Sequence, residues 1–342
     1  MLLEREKLGV VKAVERLAGI QAQEPKPPFI GLWTRVEGFE AEDVRKALQS
    51  GKLVRAMAMR ATLHLMSAKD YRALRPALDP VMTQAMTGAL KSRSDGLDLD
   101  KVLPAARKLL KEQPRGFKEL RALLAVQFPE ANDRALGYSV RTQLPLAMVP
   151  SDDRWGFPRT ADFALVDGLG AKVKPDKLVL SYLAAFGPAA AADFGAWSGL
   201  RGNKEVLERL RPKLRVFADD GGRELFDLPD APRPDAEVPA PPRFLPEFDS
   251  LLLAHDDRSR VLAEKHRGKL TTKNLRVRAT FLHDGFVRGS WSVGSAKSTA
   301  TLVLKPWEKL TKQAKSELAV EGEALLRFAE PDATARDVRF VS

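Results

Sequence analysis

Three stretches of the chain repeat one order of predicted elements, in which short helices are followed by a strand or a hairpin. The last copy is the clearest, with three helices and then two strands at residues 176–186, 189–197, 203–210, 214–217 and 224–228. The turn Asp219-Asp220-Gly221-Gly222 allows the two strands to pair as a hairpin. Helices joined by a tight turn and followed by such a hairpin are the order of a winged helix. The chain is therefore predicted to be an α+β protein with tandem winged-helix repeats.

The second copy shows the same order in the middle of the chain. Residues 117–128 carry an apolar helical stripe, and a second helix, capped by Asn132 or Asp133, is predicted to run to about residue 143. Strands at 146–149 and 155–157 would form its hairpin. In a winged helix this hairpin is the wing, and the helix before it is the one that faces DNA.

The first copy is the least complete. Short helices are predicted at 29–36 and 41–50, the second of them ended by Gly51 in the left-handed conformation. A β-branched and apolar segment at 62–66 predicts a strand. Ser67-Ala68-Lys69-Asp70 then fits a capping box that starts the next helix.

The pattern changes after the third copy. Seven prolines between residues 229 and 246 predict a stiff extended linker. Beyond it, the apolar residues Leu275, Val277, Ala279 and Phe281 alternate with polar ones, which predicts a strand, and His283-Asp284-Gly285 predicts a hairpin turn. A further strand is predicted at 299–304 and a closing helix from 307 to about 328. We expect a small β-rich, partly barrel-like domain. The predicted division is winged-helix units at 1–95, 96–172 and 173–228, a linker at 229–246 and a C-terminal domain at 247–342.

Composition narrows the possible functions. The 342 residues include no cysteine, which excludes disulfides, thiolate metal sites and iron–sulfur clusters. The four histidines show no close pair at a metal-binding spacing, so no metal or other cofactor is expected. Neither an apolar run of about twenty residues nor a leader pattern occurs, so a cytoplasmic protein without membrane contact is expected. The net charge of +11 favours a polyanionic partner.

The candidate site is Gln21-Ala22-Gln23. Val10, Val14 and Leu17 form the apolar stripe of an amphipathic helix. The same phase continued by four brings Gln21 onto the buried face, and the prolines from residue 25 onward force the backbone off the helical path near Gln23. In an extended segment residues two apart point the same way, so both glutamines can act together where the helix unwinds. From these residues alone, a capping Gln21 and a solvated Gln23 are the favoured alternative.

The surrounding sequence resembles a known family. The runs AVERLAGIQAQEPKPPFIGLWTRVEG (13–38) and LVRAMAMRATLHLMSAKD (53–70) are similar to the AlkZ-like family of winged-helix DNA glycosylases. These bacterial enzymes excise alkylated bases, and some members unhook interstrand crosslinks. Their catalytic motif is glutamine, an apolar residue and glutamine, which Gln21-Ala22-Gln23 matches at every position, whereas a sister branch has aspartate in third place. The resemblance runs nearly end to end, but relatives usually have a further N-terminal helix before the segment that begins at Met1, and its DNA contacts are not carried over.

The resemblance implies hydrolysis of N-glycosidic bonds in double-stranded DNA that carries alkylated bases. Glutamine is neither a strong acid nor a strong base, but an N7- or N3-alkylated purine is already positively charged and leaves without protonation. What remains is to place a water and to stabilise charge growing on the sugar, which amide oxygens can do by position. We therefore expect Gln21 and Gln23 to hold the attacking water. The reaction should be monofunctional, without a lysine Schiff base, and poor on neutral damaged bases such as uracil.

Further DNA contacts are expected at basic and histidine positions. Residues 258–278 hold eight Lys or Arg residues against one acid, a pattern typical of a phosphate-binding segment or of a solvated loop. The residues that lead into this basic stretch, from His255 to Arg260, resemble a segment of the family's C-terminal domain. By that resemblance they would line a DNA-binding concavity. The expected contacts are Arg60, His64, Arg134, Arg141, His255, Arg258, Arg260, Lys273 and Arg276. For His64 a structural role satisfied by backbone is an equal alternative, and Phe29 and Trp33 have the spacing of a core helix face.

A non-catalytic DNA-binding protein, such as a regulator or an architectural factor, is the alternative class. A regulator normally dimerises on spaced half-sites. The sequence predicts neither a dimerisation helix nor a ligand-sensing domain, so a monomer is expected. A module that binds proteins rather than DNA would also fit winged-helix repeats.

Overall fold

The structure is a computed structural model that describes residues 1–158, 160–171, 174–274, 276–296 and 298–341. Its α-helices are α1 (Val10–Arg16), α2 (Lys26–Trp33), α3 (Ala41–Gln49), α4 (Ala68–Leu74), α5 (Asp79–Leu90), α6 (Leu99–Glu112), α7 (Phe117–Gln127), α8 (Asp133–Gln143), α9 (Asp176–Phe186), α10 (Ala191–Ser198), α11 (Asn203–Leu210), α12 (Arg267–Leu270) and α13 (Lys312–Ala329). Its strands are β1 (Ile20–Gln21), β2 (Leu53–Met57), β3 (Leu63–Ser67), β4 (Leu146–Met148), β5 (Phe163–Leu165), β6 (Arg215–Ala218), β7 (Glu224–Asp227), β8 (Arg243–Leu245), β9 (Thr280–His283), β10 (Phe286–Ala296), β11 (Thr299–Pro306) and β12 (Ala335–Phe340).

The chain divides into two compact units. The large unit consists of Val10–Pro25 and Ala41–Ala231, and the small unit consists of Met1–Gly9, Lys26–Glu40 and Pro232–Ser342. The mixture of helices and antiparallel strands in both units makes this an α+β protein. None of the described helices is both long and apolar enough to cross a membrane.

The large unit has a five-stranded sheet in the order β1-β3-β2-β4-β5, with every neighbouring pair antiparallel. The pairing of Ala56 with Ala147 joins the strands of the first copy to the hairpin of the second. The two copies therefore share one sheet, which the sequence did not predict. This sheet carries the Gln21 motif on its edge strand β1.

The expected helix before Gln21 ends at Arg16, well before the predicted end of the helical path near Gln23. Helix α1 stops at Arg16 because Ala18 adopts a left-handed conformation, with φ of 50°. The amide of Ala18 donates to the Glu15 carbonyl at 3.0 Å, and the amide of Gly19 donates to the Val14 carbonyl at 3.0 Å. This pair of bonds is a Schellman cap. Gln21 is buried as predicted, but the prediction that it lies on a helix undone by prolines was wrong, since Gln21 lies on strand β1.

The prolines after the motif begin a helix rather than end one. Helix α2 starts at Lys26, and Pro27 and Pro28 occupy its first turn, where a missing backbone N–H removes no helical bond. The predicted helix at 29–36 is therefore shifted towards the N-terminus. Phe29 is buried, and the Trp33 ring stacks on Phe328 at 5.9 Å, which confirms the core interpretation of both aromatic residues.

The helices of the second copy are confirmed, but half of its hairpin was misplaced. The Asn132 side chain accepts from the amides of Arg134 and Ala135, which caps α8 as expected. Strand β4 pairs with β5 at 163–165, not with the predicted strand at 155–157. Residues 155–157 belong instead to a tight loop in which Gly156 has φ of 75° and accepts from the Ser151 amide at 2.9 Å.

The third copy matches its prediction most closely. Helices α9, α10 and α11 are followed by the antiparallel pair β6–β7. The Tyr182 ring lies 5.4 Å from Phe194 and 5.1 Å from Trp197, and all three side chains are buried. This aromatic cluster is the core of the copy, and it fixes the position of α10.

The small unit contains a sheet in the order β12-β11-β10-β9-β8, in which only β11 and β12 are parallel among the described pairs. The sheet has two edges, so its described strands form no closed barrel. Helix α13 packs on it through Leu318 and Leu325. The predicted turn between β9 and β10 is confirmed, because Asp284 and Gly285 both have left-handed φ angles, as a tight hairpin turn requires.

Two details of the small unit differ from expectation. The interval 229–246 is not linker throughout, since it ends in β8, where Phe244 is fully buried. The closing helix begins at Lys312 rather than at 307 because the Thr311 hydroxyl caps it by accepting from the Ala314 amide. Leu275, part of the expected strand alternation, lies outside the described residues.

A buried ion pair fixes the segment after α2 in the small unit. The Arg35 guanidinium donates to both carboxylate oxygens of Asp249, at 2.9 and 2.7 Å, and to the Gly31 carbonyl at 3.0 Å. Both side chains are almost completely buried. Because the hydrogen bonds are charge-assisted and bidentate, this contact joins residues 26–40 to the C-terminal part of the unit with a defined geometry.

Candidate active site

The sheet of the large unit places Gln21 directly opposite His64. Strands β1 and β3 are antiparallel, with Ile20 paired to Leu65 and Gln21 paired to His64. Directly opposite residues project from the same face of a sheet and lie close enough to interact. Two residues separated by 43 positions are thus brought together by strand pairing.

Arg60 holds the carboxamide of Gln21. One guanidinium nitrogen, Nη2, donates to Gln21 Oε1 at 2.5 Å, and the other, Nη1, donates to the Trp197 carbonyl. A guanidinium can only donate, so the amide atom that faces it must be the oxygen. Gln21 is only 7% exposed, and this bond supplies the partner that a buried amide oxygen needs.

Arg60 adopts an unusual backbone conformation to make this contact. It lies in the turn between β2 and β3 with φ of 53° and ψ of 21°, and Ala61 beside it has φ of 54°. A left-handed conformation at a residue other than glycine costs of order 1–3 kcal/mol, and such residues concentrate at functional sites. The bond from the Ala58 amide to the Thr62 carbonyl, at 3.0 Å, closes the turn and helps to maintain it.

His64 is a neutral side chain at this position. It is 2% exposed, and its Nδ1 lies 3.0 Å from the Thr62 carbonyl. Burial, reinforced by the charge of Arg60, lowers the pKa of His64 to about 3. Because a carbonyl oxygen only accepts, Nδ1 must carry the proton and Nε2 must be an acceptor. The contact with the Thr62 carbonyl is the backbone partner expected if His64 has a structural role. Its Nε2 can still accept a hydrogen bond beside Gln21.

The backbone after Gln21 is held by Arg55. Its Nε donates to the Ala22 carbonyl at 2.8 Å, and its Nη2 donates to the Gln23 carbonyl at 3.0 Å. The Ala22 amide donates to the Leu63 carbonyl at 2.7 Å, which extends the pairing with β3 beyond Gln21. The Gln23 side chain is exposed. The motif is thus an anchored extended segment with one buried and one accessible glutamine.

Arg55 was not among the residues expected at the site. Burial lowers its pKa to about 10, an effect that the nearby charge of Glu24 opposes, so Arg55 remains protonated at neutral pH. Its guanidinium also lies 5.0 Å from the centre of the Phe157 ring. The available signal was an arginine in the otherwise apolar strand Leu53–Met57, since a charge in such a strand needs a specific partner.

The two expected arginines of α8 have different environments. Arg134 is exposed in the first turn, whereas Arg141 is partly buried with its guanidinium 5.9 Å from the centre of the Phe117 ring. Burial lowers the pKa of Arg141, and its charge also acts on Arg55. Arg141 is therefore electrostatically coupled to the residue that anchors the motif.

The remaining expected DNA contacts lie in the small unit. Arg260 and Lys273 are exposed, and His255 and Arg258 are partly buried. Arg276 pairs with Glu247 at 2.6 Å, so its charge is partly balanced. Lys265 and Arg267 of the same stretch also have acidic partners, Glu308 and Glu264. The segment is less strongly cationic than the sequence count indicated.

No group of three or more histidine, aspartate or glutamate side chains is positioned to hold a metal ion in the described part of the chain. The site is instead built from two carboxamides, a neutral imidazole and two guanidinium groups. The carboxamides and the imidazole can position water by hydrogen bonding, and the set supplies no strong general acid. This set suits a reaction in which the leaving group is already activated.

Comparison with known proteins gives the family of this chain. The sequence model described as "DNA glycosylase AlkZ-like" matches residues 14–328. The chain therefore belongs to the AlkZ-like DNA glycosylase family. Membership favours a glycosylase over a non-catalytic DNA-binding protein.

A sequence and a solved structure from Streptomyces sahachiroi are similar to this chain. A protein named interstrand DNA cross-link repair glycosylase is 25% identical over 318 positions, covering 82% of this chain and 81% of the relative. The solved structure of the DNA glycosylase AlkZ superposes with a TM-score of 0.78 at 20% identity, covering 99% of this chain and 95% of that one. The structural similarity supports the mixed α+β fold.

Proposed function

We propose that this DNA glycosylase hydrolyses the N-glycosidic bond of purines that are alkylated at N7 or N3 and therefore positively charged. In this proposal Gln21 and Gln23 hold the attacking water beside the anomeric carbon. The observation that carries the proposal is the anchored extended segment, in which Gln21 is held by Arg60 and Gln23 lies accessible two residues later. The carboxamides, the neutral imidazole and the guanidinium groups of the site are not strong acids and would not protonate a leaving base. The proposed substrates are therefore bases that leave without protonation.

The proposed substrate is double-stranded DNA bound by a monomer. The same requirement for a cationic leaving group would be met by an interstrand crosslink attached through purine N7 or N3. The relative named for crosslink repair makes such a crosslink the first larger substrate to test. Release should leave an abasic site without strand cleavage, because no lysine Schiff base is part of the proposal.

The proposed organisation for DNA binding is three winged-helix units at 1–95, 96–172 and 173–228, a linker from 229 and a C-terminal domain at 247–342. The helix-and-hairpin order of the third copy and the paired strands of the second support this reading. In it Arg134 and Arg141 contact phosphates from α8. The basic stretch that begins at His255 would supply further contacts through Arg258, Arg260, Lys273 and Arg276.

The test uses duplex DNA containing a single 7-methylguanine, with abasic sites revealed by alkali. The wild-type protein should release the base, and Gln21→Ala with Gln23→Ala should abolish release while duplex binding remains. A duplex containing uracil serves as the control and should remain intact. Release of 7-methylguanine by the double variant at the wild-type rate would refute the assignment of the two glutamines.

A further inference from the structure

The contact between Arg60 and Gln21 divides the hydrogen-bonding capacity of the carboxamide. Oε1 is occupied by the guanidinium at 2.5 Å. The amide nitrogen has no hydrogen-bond acceptor among the described residues, and it is not one of the fully buried polar atoms that lack a partner. Gln21 therefore presents N–H donors to solvent, while the guanidinium takes one of the two acceptor positions of its oxygen and fixes the orientation of the amide.

We propose that Arg60 is a positioning residue that fixes Gln21 as a hydrogen-bond donor. This inference rests on the proposed function. In it, the Gln21 amide donates a hydrogen bond to the oxygen of the attacking water, and Gln23 Oε1 accepts a hydrogen bond from that water. As the water oxygen bonds to the anomeric carbon, the C–N bond to the cationic purine breaks, the purine leaves with the bonding pair as a neutral base, and the proton of the water passes to solvent. The two glutamines thus have different roles, although the motif repeats one residue type.

The surroundings of Arg60 support a positioning role over a phosphate contact. Both ends of its guanidinium are engaged within the large unit, on Gln21 Oε1 and on the Trp197 carbonyl. Trp197 belongs to the buried aromatic core of the third copy, so the arginine connects Gln21 to a rigid element. Arg60 makes both contacts from a left-handed backbone conformation in the turn between β2 and β3.

Substitution at Arg60 must preserve its backbone conformation. Asparagine tolerates a left-handed φ better than most residues and is too short to replace the guanidinium, so Arg60→Asn removes the contact with the least backbone perturbation. Arg60→Lys keeps the charge but has a single donor group instead of a planar fork. Arg93→Asn, at an exposed position after α5, is the charge-matched control.

The first measurement is the single-turnover rate of 7-methylguanine release together with duplex affinity. Arg60→Asn should slow release about 100-fold, as expected for misplacement of a group at the reacting centre, and should change duplex affinity less than twofold. Arg60→Lys should recover part of the rate. In the Gln21→Ala background Arg60→Asn should cause no further loss. The inference would be overturned if Arg60→Asn slowed release in the Gln21→Ala background as much as in the wild type. It would also be overturned if Arg60→Asn lowered duplex affinity and left the release rate unchanged.

The second measurement does not depend on activity. The side-chain amide signal of Gln21 in a ¹⁵N–¹H spectrum is identified by its disappearance in Gln21→Ala. Arg60→Asn should shift this signal and Arg93→Asn should not; an unshifted signal in Arg60→Asn would overturn the contact itself. If Gln21→Ala releases the base at the wild-type rate but the shift occurs, the proposed function fails while the contact stands.

Discussion

Gln21 and His64 face each other across the antiparallel strands β1 and β3, and the imidazole is neutral because it is buried beside Arg60. The pairing puts a hydrogen-bond acceptor next to a carboxamide without adding a charge. A protonated histidine here would add a third positive charge to those of Arg60 and Arg55. The low pKa of His64 keeps the imidazole neutral at neutral pH.

The burial of His64 predicts acid sensitivity. Its pKa is about 3 in the folded protein, against about 6.5 in an unfolded chain. Between these values the unfolded state binds more protons, so the free energy of unfolding falls as pH is lowered, by at most about 1.4 kcal/mol per pH unit. Above pH 6.5 this contribution is complete and constant. Between pH 7 and pH 5 the free energy of unfolding, measured by urea denaturation, should therefore fall by about 2 kcal/mol more in the wild type than in His64→Gln. An equal decrease in the two proteins would contradict a buried, neutral His64.

Removal of the Arg55 guanidinium should affect both stability and catalysis. Arg55→Met leaves the Ala22 and Gln23 carbonyls without their charged donor, which should cost about 2–3 kcal/mol in the free energy of unfolding. Release of 7-methylguanine should slow because the extended segment loses its anchor. The exposed Lys12, changed to Met, is a suitable control and should alter stability by less than about 0.5 kcal/mol. If Arg55→Met and Lys12→Met had equal stability, the anchoring role would be wrong.

The buried pair of Arg35 and Asp249 should be far more sensitive than ion pairs on the surface. Arg35→Met leaves a buried carboxylate without its partner and should reduce the free energy of unfolding by about 3–5 kcal/mol, measured by urea denaturation. Arg35→Met with Asp249→Leu should recover only part of the loss, because Asp249 also accepts from the Leu251 amide at 2.9 Å. Arg327→Met, which breaks an exposed pair with Glu323, should cost less than about 0.5 kcal/mol. If Arg35→Met lowered the free energy of unfolding by no more than Arg327→Met does, the buried pair would not be required for stability.

The two classes of basic residue should differ in their salt dependence. Arg141 has no acidic partner among the described residues, whereas Arg276 is paired with Glu247. If Arg141 contacts a phosphate, Arg141→Gln should reduce the slope of log affinity against log salt by about 0.9. Arg276→Gln should change the slope less, because Glu247 already balances that charge. Fluorescence anisotropy with undamaged duplex between 50 and 200 mM salt would measure both, and equal slopes for Arg141→Gln and the wild type would exclude the phosphate contact.

The sequence predicted the local elements well where signals were local. Helices α7, α8, α9 and α11, the Asn132 cap and the Asp284-Gly285 turn follow from apolar spacing, capping chemistry and the need for left-handed φ angles. The family was also evident, because Gln21-Ala22-Gln23 and its flanking runs are contiguous. In these cases the determining interactions span only a few residues.

Other features depended on residues far apart in the chain. The cap that ends α1 uses Ala18 in a conformation normally taken by glycine, so the residue at this position carried no local signal that the helix ends there. The partner of β4 was misassigned because residues 155–157 have the composition of a strand but are closed into a loop by Gly156. The local sequence pattern does not determine whether β4 pairs with residues 155–157 or with residues 163–165, because that choice depends on the tertiary structure.

By itself the sequence determined most of the helices, the family and the residue pair proposed for catalysis, because these depend on short-range spacing and on contiguous motifs. Only the tertiary structure decided that Gln21 lies on a strand opposite His64, that Arg60 occupies its carboxamide oxygen and that Arg55 anchors its backbone. Each of these contacts joins positions more than thirty residues apart, and their geometry is set by strand register and by the turn at Arg60. Hydrogen bonds act over about 3 Å, so they are decided only when the fold has brought the partners together.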